Sequence, residues 1–458
     1  MNKKKAPRLP NVALCISMAL MVGSLSLPVW ADNVLSVSNT LNNFTSDNLN
    51  GDNQDYTNYD EVRVTTTDPG RTGNPLSGFG IYLDGGNYKF HDLFISTTGA
   101  GAHGILSGLV GGSIIMDDFT VHTDQPLSSG SSSTFADGIR LNPSSGSTVV
   151  INNNASINIG RVGNGISVYT ADSTGAVNSV VVNGNANIQT MSPVTSSGYY
   201  AVFAGKYNSG SQGRAIVELN GNSTIQSLGY GVVADGGATI SLNNATVEVS
   251  GPLRALYARA GTLISGAPRS AIINLGGDIT LTANGAAAAL AHSGGIIRSW
   301  DYVNDVATSG VYNIEGNLIA SDHGLIDLSM ANGSLFTGRT IYSDSPSFSA
   351  STLNLRIDGP DSIWTMTDNS LLTSLTLDNR STLRYGRVAD ISTDAFILGS
   401  GGGVVDTNGF NNTLNSIISG DGALSKTGAG TLLLTGVNTY TGGTSVQEGT
   451  LQLDPTYS

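Results

Sequence analysis

Short apolar stretches that alternate with polar residues run through the chain from about residue 76 to 330. They recur as a degenerate repeat whose first element is a Gly or Ala, then an aliphatic residue and a short apolar run. Seven such anchors stand 24 to 36 residues apart, and an eighth is predicted at Gly324. The seven are Gly80, Gly104, Gly138, Gly165, Ala201, Gly231 and Ala255. The period indicates one supersecondary unit in each repeat.

Two further apolar alternations follow the anchors and end in polar turns, as in Val180-Val181-Val182-Asn183 and Ala186-Asn187-Ile188. Two or three strands in about 30 residues, broken by Asn, Gly and Ser, predict one coil of a right-handed parallel β-helix, an all-β solenoid. Successive coils would stack about 4.8 Å apart, with Asn side chains hydrogen-bonded along the turns. About 14 coils would make a rod about 70 Å long. The abundance of Gly, Asn, Ser and Thr predicts no helix after residue 31.

The alternation also predicts which residues face outward. The residue after each anchor is aliphatic and should point into the core, and the next residue should point outward. The inward row is Ile81, Ile105, Ile139, Ile166, Val202, Val232 and Leu256, and the outward row is Tyr82, Leu106, Arg140, Ser167, Phe203, Val233 and Tyr257. Tyr82, Arg140, Phe203 and Tyr257 are therefore candidates for gripping a glycan or a protein strand. The alternative is that scattered surface apolar residues have no binding role.

The first 31 residues have the three-part pattern of a secretory signal peptide. Lys3, Lys4, Lys5 and Arg8 form a basic start, and an apolar run extends from Val12 to about Leu27. The run is too short for a comfortable membrane-spanning helix. Small residues then precede a predicted cut between Ala31 and Asp32. We therefore expect an exported protein whose signal peptide is cleaved.

Charge and cysteine content narrow the function classes. The full chain carries a net charge of −13, and loss of the four basic residues in 1–31 makes it −17. A basic surface for nucleic acid is therefore not expected. Cys15 is the only cysteine and lies in the signal segment, so the mature chain has no disulfide. A chain that crosses a second membrane unfolded would have reason to avoid disulfides, which exported proteins commonly contain.

The C-terminal third resembles a known family. Ser362-Ile363-Trp364-Thr365-Met366-Thr367 is similar to the late passenger region of pertactin-like autotransporters, which use type V secretion. The block from Gly403 to Leu453 resembles their passenger-associated transport repeat. It includes Leu424-Ser425-Lys426-Thr427-Gly428-Ala429-Gly430-Thr431-Leu432, Asn438-Thr439-Tyr440-Thr441-Gly442-Gly443-Thr444 and Glu448-Gly449-Thr450-Leu451. In the family this block is associated with stable folding of the passenger at the cell surface, and it implies no chemistry.

Four segments follow from the pattern and the resemblance. We expect a signal peptide at 1–31, an N-terminal cap or irregular start at 32–75, passenger coils at 76–352, and C-terminal passenger coils at 353–458. The transport repeat would occupy about 403–453. Its core should be formed by six aliphatic residues, Leu424, Leu432, Leu434, Val446, Leu451 and Leu453.

No enzyme site is recognisable in the sequence. Gly420-Asp421-Gly422 lacks the serine of a Gly-Asp-Ser-Gly nucleophile block. Asp117-Asp118, His103-Gly104 and Asp322-His323-Gly324 superficially suggest a polysaccharide-acting β-helix enzyme, but solvated turns explain them better. None of the histidines lies at ligand spacing from another. We predict no catalytic residue, no metal site and no cofactor.

The predicted function is that of an adhesin-like or structural cell-surface passenger. Its partners would be host glycans, matrix protein or sister cells. The resemblance also implies an outer-membrane β-barrel translocator, which is not found up to Ser458, so we expect truncation before the barrel. The protein would be exported, to the cell surface or outer membrane if a barrel exists, and otherwise to the periplasm or medium. Alternatives are a non-functional periplasmic remnant and, third, a polysaccharide-acting β-helix enzyme.

Overall fold

A computed structural model describes the chain in fourteen segments. They are residues 34–39, 54–67, 78–83, 85–99, 101–108, 110–124, 135–143, 146–170, 175–191, 199–206, 213–260, 270–301, 303–343 and 351–454. Ala31 and Asp32, the predicted cleavage site, lie outside these segments. None of the described residues forms a helix of the length and apolarity that crossing a membrane requires.

The described residues form 38 β-strands and contain no helix, as the composition predicts. The first nineteen strands are β1 Val34–Asn39, β2 Gln54–Asp55, β3 Glu61–Thr66, β4 Ile81–Leu83, β5 Asn87–Thr97, β6 Ile105–Ser107, β7 Ser113–Thr123, β8 Ile139–Leu141, β9 Thr148–Ile151, β10 Ala155–Ile159, β11 Ile166–Tyr169, β12 Val177–Val182, β13 Ala186–Thr190, β14 Tyr200–Gly205, β15 Arg214–Leu219, β16 Ser223–Ser227, β17 Tyr230–Asp235, β18 Ala238–Val249 and β19 Leu256–Arg259. The others are β20 Ile272–His292, β21 Ile296–Asp301, β22 Val306–Ala307, β23 Tyr312–Ser321, β24 Leu325–Met330, β25 Leu335–Gly338, β26 Thr340–Ser343, β27 Thr352–Asp358, β28 Ile363–Met366, β29 Ser370–Asp378, β30 Ser381–Tyr385, β31 Ile391–Leu398, β32 Gly403–Asp406, β33 Asn412–Leu414, β34 Ile418–Gly420, β35 Leu424–Thr427, β36 Thr431–Leu434, β37 Thr444–Val446 and β38 Thr450–Leu453.

Each coil presents strands on three faces, and each strand pairs in parallel with its counterpart one coil away. The first face contains β4, β6, β8, β11, β14, β17 and β19, and continues through 289–292 of β20, 318–321 of β23 and β26. The second face includes β9, β12, β15, 238–243 of β18, 272–275 of β20, β21, β24 and β27. Within the described segments, only β21 and β22 pair antiparallel. The molecule is a parallel β-helix, which confirms the predicted solenoid.

The third face is the most continuous of the three. It begins with β1 and β3, passes through the C-terminal half of β5 and of β7, and ends at β37, so that sixteen strands form one ladder. Fifteen spacings of about 4.8 Å make this ladder about 70 Å long. The segment 32–75 already contributes β1 and β3 to it.

The core follows the predicted inward row. Its seven aliphatic side chains on the first face, from Ile81 to Leu256, are each at most 5% exposed and stack in register. The anchors before them are small because their Cβ positions meet backbone. A Cβ added to Gly104 would lie 2.4 Å from the carbonyl oxygen of Gly138, the anchor one coil away. The eighth anchor is a wrong prediction, because Gly324 precedes β24 on the second face, where the same small-then-aliphatic pattern starts a strand.

The tight corner between the second and third faces carries the predicted asparagine ladder. The side-chain amide of Asn220 donates to Asn183 Oδ1 at 3.0 Å, and the side-chain amide of Asn185 donates to Asn154 Oδ1 at 3.3 Å. Next along the stack, the Asn243 amide donates to the Asn220 carbonyl oxygen at 2.8 Å. Each coil thereby provides hydrogen-bond partners for polar groups in the turn of its neighbour. Parallel strand pairing alone would leave these turn groups without such partners.

The predicted core of the transport repeat is partly correct. Leu424, Leu432 and Leu434 are at most 2% exposed, whereas Val446 is 48% exposed and Leu453 is 55% exposed. Leu451 is half-buried. The prediction for Val446 and Leu453 is wrong because β37 and β38 pair on one side only among the described strands.

A buried cation joins the last coils. Lys426 occupies an inward position of the third face, between Val405 and Val446, and its side chain is fully buried. Its ammonium lies within hydrogen-bonding distance of four oxygens, namely Thr407 Oγ1 at 2.8 Å and the carbonyls of Thr427, Gly428 and Glu448 at 2.8, 2.6 and 3.1 Å. These partners belong to three successive coils. Lys426 therefore acts as a polar clamp inside an otherwise apolar column of the third face, which also includes Phe336 and Trp364.

The size limit at the anchors can be tested at Gly165, whose added Cβ would approach the Ala201 carbonyl oxygen and Ile188 to 2.5 Å. We expect Gly165→Ala to cost about 1 kcal/mol in free energy of unfolding, because Ala already occupies the equivalent position 201. Gly165→Val should cost about 3 kcal/mol through overpacking. Urea unfolding measures both. Ser156→Val, on an exposed position of β10, is the control and should change stability by less than about 0.5 kcal/mol.

The clamp can be tested with Lys426→Met, which keeps the length of the side chain and removes every donor. We expect a loss of about 2 kcal/mol, since charge-assisted hydrogen bonds are lost and the Glu448 carbonyl loses this partner. Hydrogen exchange should accelerate in β36 and β38 and stay unchanged in β10. Lys89→Met, the same change at an exposed position, should leave both unchanged. Equal protection of β36 in wild type and Lys426→Met would contradict the clamp.

Candidate binding surface on the first face

The predicted outward row is a true column on the first face. Tyr82, Arg140, Phe203 and Tyr257 alternate in register with Leu106, Ser167 and Val233, so the seven residues lie one above another along the rod. Tyr82, Arg140 and Tyr257 are half-buried. Phe203 is only 7% exposed, and Leu106, Ser167 and Val233 are also buried, so the prediction of surface positions is wrong for these four. Whether the four candidates bind a partner stays a prediction.

Phe203 is covered by two tyrosines that the row did not include. Its ring centroid lies 4.9 Å from Tyr200 and 5.4 Å from Tyr169. Tyr200 stands three residues earlier on the same strand, and Tyr169 ends β11 one coil away. A partner therefore meets Tyr169 and Tyr200 before it meets Phe203. The apolar ring of Phe203 supports these tyrosines from below.

Tyr200 begins a tyrosine ladder along the first face. Tyr200 and Tyr230 are register partners with ring centroids 5.5 Å apart and ring planes at 28°. Tyr230 and Tyr257 follow at 6.0 Å and 21°. Because strands are about 4.8 Å apart, the rings of the register partners Tyr200 and Tyr230 stack on each other, and Tyr257 joins them from the neighbouring column, where it pairs with Val233. Burial raises the pKa of Tyr200, so its hydroxyl stays protonated at neutral pH.

Arginine side chains flank the rings. The Arg140 guanidinium lies 4.9 Å from the Tyr169 centroid. Arg254 and Arg259 lie 5.0 and 5.8 Å from the centroid of Tyr257. These distances are in the range of cation–π attraction. We call the set Arg140, Tyr169, Tyr200, Phe203, Tyr230, Arg254, Tyr257 and Arg259 the tyrosine–arginine band.

Two further contacts orient the arginines. Arg254 donates a hydrogen bond to the Tyr230 hydroxyl oxygen at 3.4 Å. Arg259 donates to Asp235 Oδ2 at 2.5 Å, and this hydrogen bond raises the pKa of Arg259 further above its usual range. The Arg259 guanidinium therefore remains charged at physiological pH, and both guanidiniums are held beside the tyrosine ladder.

A buried polar ladder fixes the edge of the first face where its strands begin. The backbone N–H of Asp137 donates to His103 Nδ1 at 2.9 Å. Asp137 Oδ1 accepts a hydrogen bond from the backbone N–H of Asn164 at 2.8 Å. Asn164 Oδ1 in turn accepts a hydrogen bond from the backbone N–H of Tyr200 at 2.7 Å. His103 is therefore neutral, because its Nδ1 is an acceptor, and burial lowers its pKa to about 4. The ladder positions the strand that carries Tyr200.

A polar groove lies at the corner between the third and first faces. Its volume is about 590 Å³. It is lined by Glu248, Val249, Ser250, Thr282, Ala283, Asn284, Glu315, Gly316, Asn317, Thr337, Gly338 and Thr367. Glu248 and Glu315 belong to one column, two coils apart, or about 10 Å. Glu248 accepts a hydrogen bond from Gln226. The lining has neither a cation nor an aromatic ring, so the tyrosine–arginine band is the stronger candidate surface.

The residues that suggested an enzyme are not brought together. Asp117 lies at the corner of the second and third faces, where Asn152 and His91 hydrogen-bond it. Asp322 directly follows the first-face strand of β23, six coils further along the rod. Its carboxylate accepts a hydrogen bond from the Ser293 hydroxyl. His103 is buried in the ladder described above. Among the described residues, no group of three or more His, Cys, Asp or Glu side chains could hold a metal ion.

Sequence reasoning missed most of the band. Tyr200, Tyr230 and Arg254 each stand three residues before an outward-row member, at Phe203, Val233 and Tyr257. This shared offset is the signal that could have found them. Arg259, two residues after Tyr257, could have been found from the alternation, since it lies on the same side of the strand.

Comparison with known proteins agrees with the fold. Residues 424–453 match the family described as passenger-associated-transport-repeat, within the block predicted at 403–453. A parallel β-helix that carries this repeat in its last coils has the architecture of an autotransporter passenger. A 41-residue segment is 54% identical to the adhesin BmaC autotransporter of Brucella suis biovar 1 (strain 1330). The matched segment is 9% of this chain and 1% of that protein.

The neutral histidine predicts a pH dependence of stability. The folded-state pKa of His103, about 4, lies below the unfolded value of 6.5. Between these values the unfolded state binds more protons, so stability is full above pH 6.5 and falls as the pH falls toward 4. We expect a loss of up to about 3 kcal/mol. His103→Asn, which keeps an acceptor for the Asp137 amide, should flatten this part of the profile in urea titrations at pH 7, 6, 5 and 4.5.

His91 is the built-in control. The hydrogen bond to Asp117 raises the pKa of His91. The contribution of His91 to stability therefore has the opposite pH dependence to that of His103 and is present at low pH. His91→Asn should not flatten the loss below pH 6.5. If wild type and His103→Asn lose stability in parallel over this range, the assignment to His103 is wrong.

Proposed function

We propose that this chain is the passenger of an autotransporter and acts at the cell surface as an adhesin, with the first face as its contact surface. The repeat at 424–453 and the β-helix support the passenger assignment. The similarity to an adhesin supports the adhesive role. Host glycans, matrix protein and sister cells are the proposed partners. The proposal includes a β-barrel translocator and export to the cell surface.

The observation that carries the proposal is the contrast between faces. An outward column of the third face contains only small polar residues over seven coils, Thr120, Ser156, Asn187, Thr224, Thr246, Thr280 and Asn313. The first face instead concentrates tyrosine and arginine, the residue types that dominate binding energy at interfaces. Rings that are already stacked also lose little rotational freedom on binding.

The experiment displays the chain, fused to a heterologous autotransporter barrel, on a non-adherent laboratory bacterium. Attachment to epithelial monolayers and to matrix-coated wells, and autoaggregation, are measured at equal surface density. We expect replacement of Tyr200, Tyr230 and Tyr257 by Ser to reduce attachment at least tenfold, since truncated interface tyrosines often cost about 2 kcal/mol or more each. The matched control is replacement of Thr224, Thr246 and Thr280 by Ala on the third face, which should change attachment less than about twofold.

Two outcomes would contradict the proposal. Displayed wild-type protein that gives no attachment and no aggregation above the barrel alone would exclude an adhesive role for the tested surfaces. Equal losses in the tyrosine and threonine variants would exclude the first face as the contact surface. Protease resistance of each displayed variant shows that it is folded. Replacement of the three tyrosines by Phe, which keeps the rings, separates loss of packing from loss of the hydroxyl groups.

A further inference from the structure

The tyrosine–arginine band lies in the part of the chain where the charge is reversed. Residues 135–270 contain seven Lys and Arg and five Asp and Glu, a net charge of +2 in a chain of −13. The acidic residues of this part are mostly kept off the first face. Glu218 lies on the second face and Glu248 on the third. Asp137 is fully buried beneath the first face and is paired with Arg140 at 3.4 Å. Asp235 is on the first face and is paired with Arg259.

The basic residues have the opposite distribution. Four of them lie on first-face strands or within two residues of those strands, namely Arg140, Lys206, Arg254 and Arg259. Arg140 and Arg259 are four coils apart along the ladder β8, β11, β14, β17 and β19, which is about 19 Å. These four basic side chains outnumber the carboxylates of Asp137 and Asp235 that pair with two of them, so this part of the first face is a cationic strip on a chain that is otherwise acidic. An anionic partner is favoured on this strip and repelled elsewhere.

The donor set at one end of the strip is specific. The rings of Tyr200, Tyr230 and Tyr257 stack on each other, so their faces are occupied and their edges and hydroxyls remain for a partner. The Tyr230 hydroxyl accepts from Arg254 and so keeps its own proton to donate. Arg254 adds a planar fork of donors, which matches a carboxylate. These groups together can bind a carboxylate and the hydroxyl groups beside it.

We propose that Tyr230, Arg254, Tyr257 and Arg259 bind the carboxylate of an acidic oligosaccharide, whose sugar rings extend along the first face over Tyr200. This inference rests on the proposed contact role of that face. A nucleic acid is disfavoured because its dense phosphate charge meets a rod of high negative charge. A protein strand is disfavoured because the first-face strands are already paired through β8, β11, β14, β17 and β19, and offer no free edge between them.

The test is calorimetric titration of the purified protein with a hexasaccharide that contains uronic acid and no sulfate. The neutral, carboxyl-reduced form of the same hexasaccharide is the ligand control. We expect saturable binding of the acidic form, at least tenfold weaker binding of the reduced form, and weakening of the acidic form by added salt. Absence of binding, or equal binding of the two forms, would overturn the proposal.

The variant that tests the site is Arg254→Gln, because its described contacts are with Tyr230 and Tyr257 and include no carboxylate. We expect about tenfold or greater loss of affinity, the size of one charge-assisted hydrogen bond. Arg214→Gln is the matched control, since it removes the same charge from an exposed position at the start of β15. Equal losses in both variants would mean that binding depends on overall charge, and would overturn the site. Tyr230→Phe, which removes only the hydroxyl, should weaken binding about fivefold.

A poly-glutamate peptide of matched charge distinguishes the ligand class. Binding of the peptide as tight as that of the acidic hexasaccharide, with the same dependence on Arg254, would replace the oligosaccharide by an acidic protein segment. The outcome is also distinct from that of the display experiment. Hexasaccharide binding by purified protein without attachment of displaying cells would reject the adhesive role alone. Attachment that depends on the tyrosines, without hexasaccharide binding, would reject only the ligand assignment.

Discussion

Backbone hydrogen bonds between parallel strands one coil apart hold each residue above its counterpart, and the other features of the molecule depend on that register. On the first face, Ile81 lies against Ile105 and then Ile139, so the core is built by repetition of one position. The same register places the carbonyl of one anchor where a Cβ of the next would lie, as at Gly104. It also brings Asn183 and Asn220 within hydrogen-bonding distance, although they are 37 residues apart in sequence. One geometric constraint therefore explains the aliphatic rows, the small anchors and the asparagine corner.

The register turns the surface into columns as well, and this is how a binding surface can arise without a pocket. Tyr200, Tyr230 and Tyr257 come from three coils. The rings of Tyr200 and Tyr230 stack because the two residues are register partners, and Tyr257, which pairs in register with Val233, extends the stack from the neighbouring column. Arg254 and Arg259 reach one ring of that stack from either side of Tyr257 in sequence. A surface of this kind grows by one side chain per coil. Its chemistry can therefore differ sharply from that of the neighbouring face, while the core beneath keeps one pattern.

The fold could be predicted because the repeat shows directly which residues stack in register. The surface could not be predicted in the same way, because its contacts join residues at different positions within their coils. The inward row was correct at all seven positions, since a buried aliphatic column must recur in every coil. Gly324 was misassigned because a small residue before an aliphatic one also starts a second-face strand. Phe203 was expected to be exposed, but its cover comes from Tyr200 on its own strand and Tyr169 one coil away. Lys426 could not be predicted as a core residue, because a lysine at an inward position is stable only when oxygens from three coils surround its ammonium group.

The distribution of charge gives the acidic composition a physical role. A chain with a net charge of −13, or −17 without residues 1–31, repels other copies of itself and other polyanions over most of its surface. Residues 135–270 reverse the sign. Asp137 and Asp235 are paired with Arg140 and Arg259, and Glu218 and Glu248 lie on other faces, so no described carboxylate is paired with Arg254. Repulsion elsewhere and attraction on one strip together orient an approaching anion, which neither charge could do alone. Since Asp235 neutralises Arg259 while Arg254 contacts only tyrosines among its described partners, Arg254 is the charge that most directly sets the preference of the strip.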